Sequence, residues 1–227
     1  MNAHEPSCCR TGMREANATA TPTGAKPSVE LRPGVFRPDW SVVTSPAAEQ
    51  ALAGRADARP GLIDKWLHAL SGEADRTWRA VLELYGALGR PPRGEKLSAA
   101  TGLSEPELAD VLRGLCDHDL LDLAPDGTIR YVYPFTEAQT GHRVRLGGHV
   151  IAAMCAIDAL GVGAMYGRDI DVESACRWCG GDIRVATADR GRALADVSPP
   201  GAVVWYDFAY DGSAAVSCCP AMALFCS

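Results

Sequence analysis

An α+β fold is predicted by three features of the sequence. Apolar residues recur at helical spacing between Trp78 and Leu88, and again between Leu108 and Leu115. The turn signal Pro125-Asp126-Gly127 separates two strand-like runs. Past Gly141, short alternating stretches are punctuated by Gly, Pro and Asp. The expected architecture is a helical N-terminal part packed on a mixed, mostly antiparallel sheet domain.

Residues 1–60 hold 7 of the 15 prolines and show neither a 3.6 nor a 2.0 period, so they read as a disordered or loosely ordered Pro-rich arm. Cys8 and Cys9 fall within it. Residues 61–140 form the second expected unit. LIDKWLHALS opens it with helical spacing, and Trp78, Val81, Leu82, Tyr85 and Leu88 then line one helix face. Gly89 and the pair Pro91–Pro92 end that helix. Ser104 is an N-cap with Glu107 as its capping-box partner and Pro106 in the first turn, and the following helix presents Leu108, Val111, Leu112 and Leu115. LLDLAPDGTIRYVYPF then reads as a hairpin. Helices followed by a hairpin resemble a winged helix-turn-helix domain. The would-be recognition helix EPELADVLRGLCD, however, has Arg113 against Glu105, Glu107, Asp110 and Asp117. That charge balance is wrong for phosphates and base edges, so a scaffold role is expected and nucleic acid is not an expected partner.

Residues 141–227 are expected to form an α+β domain carrying most of the cysteines. Gly147–Gly167 is long enough to span a bilayer, but Asp158 lies in its interior, at a cost of ~2.5–3.5 kcal/mol on the insertion scale. A buried helix of a soluble core is the expectation. IRVAT, AVVWYDF and AVSCC read as short strands. Trp178, Trp205, Tyr206 and Phe208 are expected in the core, one of them walling a pocket, and His149 is expected to be a structural histidine.

The chain has 227 residues, 47% hydrophobic and 22% charged, with a formal net charge of −6. These values suit a globular protein and disfavour one that neutralises many phosphates. Nine cysteines, an odd number, argue against a fully paired secreted framework. The N-terminus MNAHEPSCCRTGMRE lacks the apolar run of a secretory signal, so reduced thiols and a cytoplasmic location are expected. Cys116, in LRGLCDHDLL, reads as a buried packing residue.

Chemistry is expected at Cys155 and Asp158, three residues apart and one helical turn from each other on one face. The later pair Cys218–Cys219 follows an apolar run, and in a strand only one of the two would face Cys155. Thiolates bind soft metal ions. A carboxyl desolvated beside thiolates has a raised pKa and serves as a general acid. Two thiolates and a positioned acid are what protonation of a metal-bound carbon needs.

At these residues the chain resembles the organomercurial (alkylmercury) lyase family. The resemblance runs from about Trp78 onward and rests on the segment MCAIDALGVGAMYGRDIDVESAC and the late SCC. It implies an α+β fold and protonolysis of carbon–mercury bonds without a cofactor, as part of mercury detoxification. It also implies a catalytic set of Cys155, Asp158 and Cys218. Cys155 and Cys218 would hold mercury, with Cys219 the alternate to Cys218, and Cys176 matches a structural cysteine. Small thiols and a mercuric reductase are the implied acceptors of Hg(II). The family continues further after its cysteine pair, whereas here Pro220 follows the pair and Ser227 is the last residue.

Three other readings use the same residues. Cys176-Arg-Trp-Cys179 with Cys218 and Cys219 would make a four-cysteine zinc site. A winged-helix metal-sensing regulator would need the thiols but not the acid, so Asp158 discriminates against it. A relative that keeps the fold without the activity is the third.

Overall fold

Three antiparallel sheets and four helices make up the described part of the unit that contains the candidate residues. The coordinates are a computed structural model, which describes residues 72–206 and 210–227, Pro46, and the backbone of a strand pair, β1 (Glu30–Arg32) and β2 (Val35–Phe36). Residues 71–227 make one unit, and the β1–β2 pair belongs to another spanning Gly12–Leu70. The remainder of the Pro-rich arm, including Cys8 and Cys9, the LIDKWLHALS helix and Phe208 lie outside the described residues.

The larger unit begins with α1 (Gly72–Leu88), α2 (Gly94–Thr101) and α3 (Glu105–Asp117). Val81, Leu82 and Tyr85 of α1 are buried on the expected face. Gly89, at φ +67°, ends α1 with its N–H on the Tyr85 carbonyl at 2.8 Å. The Ser104–Glu107 capping box forms at the start of α3, with Ser104 N–H donating to Glu107 Oε2 at 2.9 Å. Leu108, Leu112 and Leu115 of α3 face the core. Arg113, the lone cation of α3, is paired with Asp110, which leaves the helix no free positive charge. Cys116 is half-buried, and burial pushes its thiol up to about 11.

A three-stranded antiparallel sheet follows, β3 (Leu121–Leu123), β4 (Ile129–Val132) and β5 (Phe135–Thr136). Its first hairpin turns at the Pro125-Asp126-Gly127 signal, with Gly127 at φ +81°. The second sheet has the order β10-β9-β8-β6-β7. Its strands are β6 (His142–Leu146), β7 (His149–Ala152), β8 (Asp171–Ala175), β9 (Asp182–Ala188) and β10 (Ala193–Ser198). Alternation puts Val144, Leu146, Ile151, Val172, Ile183 and Val185 on its buried face. Among the described residues every pairing is antiparallel. The chain closes with β11 (Val203–Trp205) paired to β12 (Ala223–Phe225).

The expected helix over Gly147–Gly167 is shorter than its apolar stretch. Gly147 and Gly148, at φ +57° and +90°, make the β6–β7 turn, and HVIA continues as β7. The helix, α4, covers only Ala156–Tyr166. Glycines that accept left-handed geometry split one apolar run into a strand and a helix. AVSCC is likewise not a strand. Ser217 and Cys219 donate their N–H groups to Ser213 and Ala214 carbonyls, and a 3₁₀ turn spans Cys219–Ala221. Pro220 has no N–H for a ladder, so the chain coils there instead. Trp178 and Trp205 are exposed rather than core, at 82% and 56%. His149 is half-buried, and its Nε2 lies 3.1 Å from the Ala87 carbonyl oxygen, the partner a structural histidine needs.

α4 is held from two sides. Tyr166 Oη donates to the Leu82 carbonyl of α1 at 2.6 Å, and its ring fills the space a Cβ on Gly86 would occupy. Gly163 meets Gly191 of the β9–β10 turn so closely that a Cβ on Gly191 would lie 2.2 Å from the Gly163 carbonyl carbon. These contacts hold the C-terminal half of α4, and the candidate site begins at its other end.

Candidate active site

Cys155 is the N-cap of α4 in extended geometry, and Asp158 is the third helical residue. The Asp158 N–H donates to Cys155 Sγ at 3.4 Å, and Cys155 Sγ–H donates to Asp158 Oδ2 at 3.1 Å. This is an N-cap with a thiol in place of the usual hydroxyl, the Asp158 carboxyl bonding that thiol rather than the backbone N–H of a capping box. The spacing of three therefore brings thiol and carboxyl into contact by a helix start, not by a shared helix face.

The second thiol arrives from the C-terminal turn. Cys219 Sγ donates to the same Asp158 Oδ2 at 3.9 Å. The ligand atoms of Cys155, Asp158 and Cys219 all lie within 4.8 Å of one another. Cys218 is buried beside Cys219, and its Sγ–H points to the Ala214 carbonyl at 3.6 Å. The sulfur that the coiled turn presents to Asp158 is thus that of Cys219, and Cys218 stands behind it. Met222 adds a thioether 3.7 Å from Cys155 Sγ, and Tyr133, Met154, Ile157, Tyr206 and Tyr210 pack around the cluster. Of the four aromatics expected in the core, Tyr206 is the one among the described residues that packs here.

Burial sets the electrostatics. It raises the Asp158 carboxyl to about 6, against the opposing hydrogen bonds from Cys155 and Cys219. The Cys219 thiol is pushed well up by its hydrogen bonds with Cys155 and Cys218, by burial and by the Asp158 charge. Cys218 is shifted down, chiefly by the hydrogen bond from Cys219. One shared proton network therefore spans the three thiols and the acid.

Two residues that sequence reasoning missed hold this arrangement. Asp119, buried and at φ +56°, accepts the Ala214 N–H at 2.7 Å and the Tyr133 hydroxyl at 3.4 Å. It anchors the turn that delivers Cys218 and Cys219. Met222 ties the same segment to α4, its carbonyl accepting the Ala156 N–H at 3.3 Å. Nothing local in DHDLL signals a contact 95 residues away.

Cys176 and Cys179 do not join Cys218 and Cys219, as the four-cysteine reading requires. They meet Cys226 instead. Backbone N–H groups of Cys179, Cys226 and Trp178 and the Cys179 thiol surround Cys176 Sγ. They outweigh its burial and lower it to about 6. A separate cleft lined by Thr136, Gln139, Arg143 and Ala152 contains no thiol.

No helix among the described residues is long and apolar enough to cross a membrane. The family profile described as alkylmercury lyase matches residues 135–227. An alkylmercury lyase of Staphylococcus epidermidis is 34% identical over 128 residues, covering 56% of this chain and 56% of its own length. The chain thus spans little more than half of that curated relative. The crystal structure of the mercury-bound form of MerB2 superposes with a TM-score of 0.56 at 22% identity, over 67% of this chain and 74% of that one. At that identity the likeness shows the shared α+β fold. The stretch that matches the alkylmercury lyase profile contains Cys155, Asp158 and the late cysteine pair.

Proposed function

We propose that the protein is an organomercurial lyase that cleaves a carbon–mercury bond by protonolysis, releasing a hydrocarbon and Hg(II). The observation that carries this reading is one buried carboxyl touching two buried thiols, Cys155 at 3.1 Å and Cys219 at 3.9 Å.

Ionised Asp158 accepts the proton of Cys155, and the resulting thiolate bonds to mercury. Cys219 adds as the second sulfur, and its proton leaves with the ligand displaced from mercury. Two soft donors raise electron density on the mercury-bound carbon. Asp158 then delivers its proton to that carbon. The C–Hg bonding pair becomes the new C–H bond, and Hg(II) remains bonded to two sulfurs. An acid near pH 6 exchanges protons in both directions at neutral pH, which this cycle requires. The family pattern assigns the second sulfur to Cys218; the geometry favours Cys219, with Cys218 as its hydrogen-bonded neighbour. Small thiols or a mercuric reductase then remove Hg(II) by thiol exchange. The described cysteines are all free thiols, which suits a reducing cytoplasm and a place in mercury detoxification.

The test is headspace methane from methylmercury with excess thiol. Asp158→Ala should bind mercury and release little methane, and Cys155→Ala should do neither. Cys219→Ala should lose more activity than Cys218→Ala. Methane at the unmutated rate from Asp158→Ala would refute the acid role.

A further inference from the structure

The C-terminal segment delivers sulfur to two places. Cys219 enters the cluster around Asp158, and Cys226, at the end of the same segment, enters a second one. The sulfurs of Cys176, Cys179 and Cys226 lie within 4.8 Å of one another, with Cys179 Sγ and Cys226 Sγ 3.6 Å apart. The loop between β8 and β9 is built to converge them. Cys176 N–H donates to the Gly181 carbonyl at 2.8 Å, and Gly180 N–H donates to the Cys176 carbonyl at 2.9 Å. Gly180 takes φ +72°, turning the chain back directly after Cys179. Cys226 N–H donates to Cys176 Sγ at 3.4 Å, and the backbone N–H groups of Trp178 and Cys179 lie near enough to the same sulfur to favour its thiolate. N–H donors ringing a sulfur stabilise the excess negative charge of a metal-bound thiolate. A Cys179–Cys226 disulfide would leave Cys176 ringed by donors with nothing to bind. Cys176 and Cys226 are buried, whereas Cys179 is half-buried and offers the approach from solvent.

We propose that Cys176, Cys179 and Cys226 form a second metal site, which binds one Zn(II) through three thiolates and an exogenous water or thiol and pins the segment carrying Cys219. Binding forms three Zn–S bonds and releases the protons those sulfurs still carry. The pinned segment is already stitched to the knuckle, since Arg177 N–H donates to the Leu224 carbonyl at 2.9 Å and Arg177 Nη1 to the Pro220 carbonyl at 3.1 Å. Zinc here would hold Cys219 in register with Asp158 from a distance, without taking part in the cleavage.

The experiment uses the full chain with Cys155→Ala and Cys219→Ala, so that the other thiol cluster contributes no site. Reduced, metal-free protein dialysed against Zn(II) should retain one equivalent. Adding Cys179→Ser, or separately Cys226→Ser, should abolish that retention at the same free zinc, with the fold checked by circular dichroism. In the unmutated chain, Zn(II) should slow alkylation of Cys179 read by mass spectrometry, and Mg(II) should not. A folded background protein that retains no zinc overturns the proposal. So does retention indifferent to Cys179→Ser and Cys226→Ser, or an alkylation rate unmoved by zinc. A parallel dialysis against Hg(II) separates the two thiophilic ions, and capture of Hg(II) alone would also overturn it. Methane release plays no part in these readouts, so failure of the lyase reading leaves this test standing.

Discussion

Asp158→Asn should make the protein more stable and less active, and the stability gain should depend on pH. Burial raises the Asp158 carboxyl from 3.8 to about 6. The folded state therefore holds a proton that the unfolded state releases between about pH 4 and pH 6, and stability falls as pH rises through that window. A shift of roughly two units at 1.36 kcal/mol each is about 3 kcal/mol of destabilisation above pH 6. The asparagine variant never ionises at this position and escapes that loss. Its Oδ1 still accepts the Cys155 thiol, so packing at the helix start is preserved. Urea unfolding of both proteins from pH 4 to pH 8 gives the difference directly, because every other titrating group is common to the pair. The variant's advantage should grow by about 3 kcal/mol between pH 4 and pH 7 and then level off, a rise in midpoint of roughly 6–12 °C at neutral pH. A difference in stability that is flat across pH 4–7 would show that Asp158 does not carry a raised pKa. The proposed proton-return step would then have no acid.

The remaining predictions concern what holds the site in place. Asp119→Ala leaves the buried Ala214 N–H unpaired and should cost roughly 1–3 kcal/mol in urea unfolding. It should also speed alkylation of Cys219, whereas Asp119→Asn, which tolerates φ +56° and can still accept, should restore most of both. Gly191→Ala should lose on the order of 1–3 kcal/mol from its positive φ alone, plus a further loss from the 2.2 Å clash with Gly163. Gly127→Ala, equally left-handed but with open space at its Cβ, should show only the first part, so equal midpoints for the two variants would remove the clash argument.

What was legible in the sequence was local. Helix periodicity in α1 and α3, the Ser104–Glu107 box and the Pro125-Asp126-Gly127 hairpin each depend on residues within a few positions of one another, and each forms as expected. The contact between Cys155 and Asp158 was legible for the same reason, although the contact arises from a cap and not from a helix face. Which member of the Cys218–Cys219 pair meets Asp158 was not legible. Strand logic alternates faces, but Pro220 and the turn at Ser213–Ala214 coil the chain, and coiled residues follow no two-residue period. The partner of the Cys176–Cys179 knuckle was hidden by distance: Cys226 is separated from Cys176 by 50 positions and is brought near by contacts such as that between the Leu224 and Arg177 backbones.

The two thiol clusters share one short piece of chain, and that gives the site its physical logic. A carboxyl and two sulfurs buried together are individually unfavourable: the acid resists ionisation and the Cys219 thiol resists losing its proton. Such a cluster persists only where its surroundings hold it closed. Here Asp119 clamps the turn before Cys219, Met222 joins the turn after it to α4, and the Cys226 contact with Cys176 ties down the end. Loosening any of these three ties lets the buried groups reach water and relaxes their pKa values toward ordinary ones. In the proposed cycle Asp158 would then hold its proton less readily at neutral pH and have less to return to carbon, even with every proposed reacting residue still present.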